Sequence, residues 1–385
     1  MKGEHSMKST NPKLQQLVSK IIALLVLMTL SIQASAAMAT KKVVMIVSGY
    51  GQQEGEEKPG YEFDEFSKAY QVFKDNGFSV DIASPKGGMV VADQYDPKKP
   101  YNAVVISDKA IMKKLDNTLK TTSLKAKDYD AIFVVGGKGA MFDLPKDKAL
   151  QSLIADVYQN QGSVAAVCHG PAALVDVKLN SGEYLVANKK INSFTNEEEK
   201  LFGKKWMSQF EFMLEDKLVE RGAKFQSSEI MLSHVAVDGR LITGQNPSST
   251  TEVALALVES LGVTPVETKL GIEDLTMSVI ASFLSGEKDA LKKLDKNPEK
   301  YHVPLAGMYG FYFLKVAESD EEFENALALM TTAQEAINNP KLDMQIAKTQ
   351  HQLGKTQQAK ATLDALLSSK PDYQPALELL KTISL

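Results

Sequence analysis

The sequence contains a single cysteine, Cys168, so no disulfide can form within the chain. The sequence also lacks a large excess of positive or of negative charge. With 44 basic and 48 acidic residues the formal net charge is -4, and no basic block lies outside the N-terminus. This balance excludes the electrostatic footprint of a nucleic-acid-binding protein. The few histidines and the cysteine show no metal-ligand spacing, so the sequence predicts neither a metal nor a cofactor.

Long apolar runs are scarce, and the clearest one lies near the start of the chain. Lys8, Lys13 and Lys20 precede the run Ile21–Leu30, which is followed by small-residue sites ending at Ala36 and Ala39. A membrane helix needs about 20 apolar residues, so this run is short for a span. We expect residues 1–39 to be a cleavable signal peptide and the mature protein to be periplasmic or secreted, without a membrane anchor. An uncleaved anchor is the alternative.

The 385 residues exceed one average domain of roughly 100–200 residues. Between residues 40 and 263, short β-branched runs alternate with amphipathic stretches. This alternation predicts an α/β domain with a flavodoxin-like parallel sheet sandwiched by helices. The predicted strands are 43–48, 79–83, 131–135, 163–167, 190–193, 235–237 and 241–243. The predicted helices are 63–75, 150–159, 171–177, 210–220 and 250–260.

Strand patterns stop after Thr264 and Pro265, and residues 264–385 carry helical spacing only. We expect a second, all-helical domain there. Gly354, Ala359 and Pro371 are spaced as in a tetratricopeptide repeat, which favours a tetratricopeptide-like domain. An unrelated helical hairpin remains the alternative.

Cys168 lies between the apolar run Ser163–Val167 and Gly170-Pro171, where a helix is expected to begin. A strand-to-helix turn lifts a side chain out of the sheet and directs helix amides at it. Such surroundings favour a thiolate and a lowered thiol pKa. The pattern therefore predicts a nucleophile, whereas the alternative is a buried cysteine that acts as a small hydrophobic residue.

Two further segments are predicted to lie beside this cysteine. Gly136 and Gly137 follow a strand, and glycines there let backbone amides approach a ligand as an oxyanion hole requires. The amides of Gly137 and His169 are the first candidates, and a simple tight turn or a phosphate loop is the alternative. Glu62 and Glu65 open the first helix, where acids are also favoured by the helix dipole.

Five stretches between Lys41 and Gly262 together resemble the ThiJ/PfpI superfamily, which has the class I glutamine amidotransferase-like fold. The resemblance is strongest to its branch of glutathione-independent glyoxalases (glyoxalase III), deglycases and heat-shock chaperones. The helical region lies outside it. The matching stretches are Gly60-x-Glu62-x-x-Glu65, residues 128–143, Ala166-Val-Cys-His-Gly-Pro171, Phe194-Thr-Asn-Glu-Glu-Glu199 and residues 238–247.

The resemblance implies a role for each matching residue. Cys168 would be the nucleophile and His169 the adjacent proton-transfer group. Glu65 would hydrogen-bond the sulfur, with Glu62 as the second choice. The acid of the triad would come from residues 197–199, where the alignment favours Glu199 over Glu198.

The resemblance also implies an activity. Cys168 would attack a 2-oxoaldehyde such as methylglyoxal, and a 2-hydroxy acid would be released. His234 suggests amidotransferase chemistry, but a carboxylate is missing two residues later, at Ala236, so His234 is expected to be a pocket or structural residue.

Two function classes follow. The first is an exported cysteine enzyme, either a glyoxalase or deglycase or a hydrolase or peptidase with the same nucleophile. The second is a stress-related holding chaperone or redox sensor. The expected partners are a small reactive carbonyl or a glycated or unfolded protein, a protein bound by the helical domain, and a second copy in a homodimer.

Overall fold

A computed structural model describes residues 40–383. The predicted signal peptide, with its three lysines and both cleavage sites, lies outside the described residues. Its cleavage and the export of the protein therefore stay predictions. Among residues 40–383, every helix is too short or too polar to cross a membrane.

A seven-stranded sheet forms the centre of the α/β region, in the order β3-β2-β1-β4-β5-β9-β8. Neighbouring strands are parallel except β8 and β9. The predicted flavodoxin-like α/β fold is thereby confirmed. The strands of this sheet are β1 Lys42–Ile46, β2 Ser79–Ser84, β3 Leu119–Lys120, β4 Ala131–Val134, β5 Ser163–Val167, β8 Val235–Asp238 and β9 Leu241–Gly244.

Two features of the sheet differ from the expectation. β8 and β9 form an antiparallel hairpin, because the two residues Gly239 and Arg240 between them are too few for a parallel crossover. The predicted strand at 190–193 is only β6 Lys190–Ile191. It pairs with β7 Lys224–Phe225 in a separate two-stranded sheet. Short strands such as β3 and β7 have too few residues to show an apolar pattern.

Helices cover the sheet, and two of those predicted have the expected bounds. The segment predicted as a helix at 171–177 is instead a 3-10 turn at Gly170–Leu174, and the one predicted at 210–220 starts at Leu214. The helices are α1 Phe63–Asp75, α2 Pro100–Ser107, α3 Lys109–Asp116, α4 Ala140–Asp143, α5 Lys148–Gln159, α6 Asn196–Phe202, α7 Lys204–Met207, α8 Leu214–Glu220 and α9 Thr250–Ser260.

The core lies on both faces of the sheet, as expected for strands whose side chains alternate. Val43 and Met45 of β1 belong to the apolar cluster on one face, and Val44 and Ile46 belong to the cluster on the other. Because β1, β4 and β5 are buried on both faces, their carboxyl ends form a rigid edge from which loops emerge.

The region after α9 contains helices and turns among its described residues. Its helices are α10 Ile272–Leu284, α11 Lys292–Lys296, α12 Val303–Phe313, α13 Asp320–Thr332, α14 Gln334–Ile337, α15 Pro340–Gln352, α16 Thr356–Ser369 and α17 Gln374–Thr382. An apolar cluster around Ile280, Tyr309 and Phe313 forms the core of α10 to α13. Gly354 has a φ of +73° and joins α15 to α16. The domain boundary at 263/264 and the tetratricopeptide-like character stay predictions.

Candidate active site

Cys168 lies directly after β5 and has a φ of +60°, a conformation that non-glycine residues rarely adopt. The backbone holds it there, because its N–H donates to the Gly244 carbonyl at 2.9 Å and its carbonyl accepts from Phe194 N at 2.9 Å. A strained elbow that presents a side chain is frequent at functional sites. The turn that follows is a short 3-10 turn and not the predicted helix, so the expected helix dipole is not available to the sulfur.

His169 links the cysteine to a buried acid. Its Nδ1 lies 3.3 Å from Cys168 Sγ, and its Nε2 lies 2.7 Å from Glu199 Oε2. Helix α6 positions Glu199, and Thr195 caps the start of that helix. The backbone bond between Phe194 and Cys168 brings the start of α6 to the elbow. Among the three consecutive glutamates, the structure places the favoured Glu199 at His169.

Glu65 approaches the sulfur from the other side. It is fully buried in the first turn of α1, and its Oε2 accepts a hydrogen bond from Gly136 N at 2.7 Å. Burial raises the pKa of Glu65 well above its usual range, and the nearby Glu62 charge adds to the effect. The Gly136 N–H and the neighbouring Cys168 thiol act in the opposite direction and lower the pKa of Glu65 to a smaller extent. The structure thus brings Cys168, His169, Glu65 and Glu199 together.

The pKa of the Cys168 thiol differs from the expectation. Burial raises the pKa of Cys168 well above its usual range, and the negative charges of Glu65 and Glu62 raise it further. The Gly137 N–H acts in the opposite direction. The elbow therefore does not lower the thiol pKa by itself. A proton on Glu65 removes the repelling charge and turns that carboxyl into a donor to the sulfur, so the two groups titrate as a pair.

The glycine loop approaches so closely that side chains are excluded. A Cβ on Gly136 would lie 2.7 Å from Glu65 Oε2 and 2.8 Å from Cys168 Cβ. Gly137 has a φ of +91°, and a Cβ there would lie 2.5 Å from Glu62 N. Because the Gly136 N–H is bonded to Glu65, it is not free for a substrate oxygen, contrary to the sequence expectation. Gly137 lies beside the thiol, whose pKa its N–H lowers.

A cavity of about 290 Å³ opens beside the sulfur. Glu62 is one of its lining residues. The pKa of Glu62 is raised to about 7, mainly by burial and to a smaller extent by the charges of Asp64 and Asp93. The sequence analysis did not single out several of the other lining residues, because they come from loops and helix ends that are distant in the chain. Those residues are Asp93, Phe202, Met231 and Ser248. Lys138 also lines the cavity, and it lies beside Gly137 in the matching stretch 128–143. Asn246 also lines the cavity, and only its place in the matching 238–247 stretch pointed to it.

Two secondary candidates hold the structure around the site. Glu198 Oε1 accepts hydrogen bonds from Met231 N at 2.7 Å and from Asn246 Nδ2 at 2.8 Å, and its other oxygen caps α6 with Thr195. His234 Nδ1 lies 2.8 Å from Ser228 Oγ. Glu198 therefore braces the cavity wall through Met231 and Asn246, and the hydrogen bonds of both residues go to groups other than the sulfur–histidine pair.

The histidine, cysteine and acidic side chains of residues 40–383 give no support to metal binding. Across residues 40–383, no group of three or more histidine, cysteine or acidic residues has the geometry of a metal site. The prediction that neither a metal nor a cofactor is needed stays a prediction.

The fold and the site define an α/β protein whose cysteine stands at a strained turn beside a histidine and two acids. Residues 58–260 match the DJ-1/PfpI family, and the chain belongs to that family. The match ends before the helical region. Among known proteins, the chain is 33% identical over 217 residues to the glutathione-independent glyoxalase hsp3102 of Schizosaccharomyces pombe, covering 52% of this chain and 89% of the relative.

Two further comparisons cover the same part of the chain. It is 32% identical over 241 residues to the glutathione-independent glyoxalase HSP31 of Saccharomyces cerevisiae, covering 58% of this chain and 99% of the relative. Among solved structures, Rapid Encystment Protein 24 KDa of Francisella tularensis is 34% identical with a TM-score of 0.54, covering 58% of this chain and 99% of that one. Glyoxalase III of Candida albicans is 26% identical with a TM-score of 0.53, covering 57% and 97%.

Proposed function

We propose that this protein is an exported, cofactor-independent cysteine enzyme that converts 2-oxoaldehydes to 2-hydroxy acids without glutathione. Relatives named glutathione-independent glyoxalases at 32–33% identity support an enzyme of the glyoxalase III type. The observation that carries the proposal is the arrangement of Cys168 Sγ, His169 and the buried Glu199 at the edge of a small cavity.

The first step is attack by Cys168 on the aldehyde carbon. A carbon–sulfur bond forms and the carbonyl π bond breaks, which gives a hemithioacetal. His169 Nδ1 is close enough to accept the thiol proton, while Glu199 holds the imidazole by its other nitrogen. The Gly137 and His169 amides are the candidate donors for the developing oxyanion.

The second step moves a proton between the two carbons of the substrate. His169 passes the thiol proton to the alkoxide oxygen and is then free to remove the proton from the former aldehyde carbon. The neighbouring ketone carbon receives a proton, and the hydroxyl proton on the former aldehyde carbon moves to the ketone oxygen, so that the hemithioacetal becomes a thioester. Glu62 is a second proton carrier, because a carboxyl with a pKa of about 7 is suited to acid–base work near neutral pH. Water then cleaves the thioester to the 2-hydroxy acid and the free thiol. The overall reaction adds one water and needs no oxidant.

The test is formation of D-lactate from methylglyoxal by purified protein without glutathione. We expect activity in the wild-type protein and its loss in Cys168→Ala. Cys168→Ser is the matched control, because it preserves the size of the side chain and removes most of its nucleophilicity. Equal activity of the wild-type protein and Cys168→Ala would exclude Cys168 from the mechanism.

Export is supported by the sequence of residues 1–39 and is tested separately. We expect the mature protein to begin at Ala37 or Thr40 and to be found in the periplasmic or secreted fraction. N-terminal sequencing of the isolated protein measures this. A mature chain that retains Lys8 to Lys20 would contradict the proposal.

A further inference from the structure

The helical region contacts residues that line the cavity. Phe202, the last residue of α6, lines the cavity and packs edge-on against Tyr312 of α12, with ring centroids 4.8 Å apart and an interplanar angle of 66°. Met231 lines the cavity too, and it packs against the apolar cluster around Tyr309. Ile230 and Leu232 on either side of Met231 are buried in the same cluster. One wall of the cavity therefore rests on the helical core.

The same wall is connected to the acid that holds His169. Phe202 lies three residues after Glu199 in α6, almost one helical turn away. The adjacent Glu198 accepts hydrogen bonds from the Met231 N–H and from the Asn246 side chain. Glu198 in the first turn of α6 thus joins this helix to the 230–232 segment, and the helical region contacts both from outside.

We propose that the helical region forms the outer wall of the catalytic cavity, and that Tyr312 is a positioning residue. Through Phe202, it limits the size of the substrate that reaches Cys168. The inference rests on the proposed glyoxalase function. Tyr312 lies outside residues 58–260, the part that matches the family, so this wall is an addition to the family fold. Without the Tyr312 ring, Phe202 loses a neighbour on its outer side and can rotate away from the cavity.

The first experiment compares methylglyoxal with the larger phenylglyoxal in the full chain. The free energy of an aromatic contact of this type corresponds to a factor of about 3–10 in an equilibrium constant. In Tyr312→Ala we expect the ratio of kcat/KM for phenylglyoxal to that for methylglyoxal to rise about 3–10-fold through KM, with kcat for methylglyoxal nearly unchanged. Tyr312→Phe retains the ring and should retain the wild-type ratio.

Tyr301→Ala is the matched control, because Tyr301 is a half-buried tyrosine that packs against the same helical core. It should leave the ratio unchanged. Phe202→Leu provides a second variant on the cavity side and should change the ratio in the same direction as Tyr312→Ala. An unchanged ratio in both Tyr312→Ala and Phe202→Leu, or an equal change in Tyr301→Ala, would overturn the inference.

A second measurement does not depend on turnover. Cys168 is the single cysteine, so its alkylation rates by iodoacetamide and by the bulkier N-phenylmaleimide report access to the sulfur. We expect Tyr312→Ala to raise the N-phenylmaleimide rate relative to the iodoacetamide rate about 3–10-fold. A wild-type protein inactive on both aldehydes would overturn the proposed function, while the alkylation ratio still tests the wall. An unchanged alkylation ratio in an active enzyme would overturn the wall alone.

Discussion

His169 Nε2 and Glu199 Oε2 lie 2.7 Å apart, and their side chains are only 2% and 4% exposed. Because the other imidazole nitrogen faces Cys168 Sγ, the orientation of the ring is fixed from both ends. A carboxylate in this place keeps the proton on Nε2 and leaves Nδ1 free to accept one from the thiol.

Glu199→Gln tests this arrangement. The amide of glutamine can donate to Nε2 and so favours the wrong tautomer. We expect kcat with methylglyoxal to fall on the order of 10²-fold or more, since general acid–base catalysis contributes about 10²–10⁴-fold. Glu197→Gln on the exposed face of α6 is the control and should behave as the wild type. Similar kcat values for the two variants would contradict the role of Glu199.

Glu65→Gln tests the coupling between the buried carboxyl and the thiol. Glutamine can still accept from the Gly136 amide but cannot carry the negative charge that raises the pKa of Cys168. We therefore expect the pH midpoint of Cys168 alkylation by iodoacetamide to move to lower pH. The exposed Glu57→Gln is the control. A midpoint that stays in place would show that the Glu65 charge does not act on the sulfur.

Gly137→Ala tests the close approach of the glycine loop. Alanine at a φ of +91° is strained, and its Cβ would meet the backbone of Glu62 at 2.5 Å. Gly77→Ala is a matched control, because Gly77 has a φ of +74° and open space around it. The free energy of unfolding in urea should fall by about 1–3 kcal/mol more for Gly137→Ala than for Gly77→Ala, the usual cost of overpacking. Equal losses would mean that the loop can shift.

Glu62→Gln tests a pH dependence of stability. The pKa of Glu62 is raised from 4.5 to about 7 in the folded protein, mainly by burial, so the folded state binds more protons than the unfolded state between these values. The contribution of Glu62 to stability is therefore present below pH 4.5 and is lost as the pH rises through 7. Between pH 4.5 and about 7, we expect the free energy of unfolding of the wild-type protein in urea to fall relative to that of Glu62→Gln. A constant difference between the two would contradict the shifted pKa.

The sequence predicted the long buried elements well. The bounds of α1, α9 and β5 match the structure, since a continuous apolar run or a clear helical period indicates such elements without tertiary information. Prediction from the sequence failed where a segment was short. The turn after Cys168 carries Gly170-Pro171, which suits both a helix start and a 3-10 turn, and nothing local distinguishes them.

The site shows the same division. Cys168, His169 and Gly137 were identifiable, because each stands at the end of a strand in a characteristic local pattern. Asp93 and Met231 were missed, because they line the same cavity as Cys168 only when separate loops converge on it.

The order of residues along the chain alone determined the α/β fold and the presence of a cysteine, a histidine and glycines at one edge of a parallel sheet. These depend on local periodicity and on turn chemistry. The family resemblance pointed to Glu199 and Glu65, but only the tertiary structure gave the contact of Glu199 with His169, the burial of Glu65 beside the thiol and the packing of Tyr312 on Phe202. Those contacts join residues up to about a hundred positions apart, and the thiol pKa depends on burial and on neighbouring charges, which no local pattern encodes.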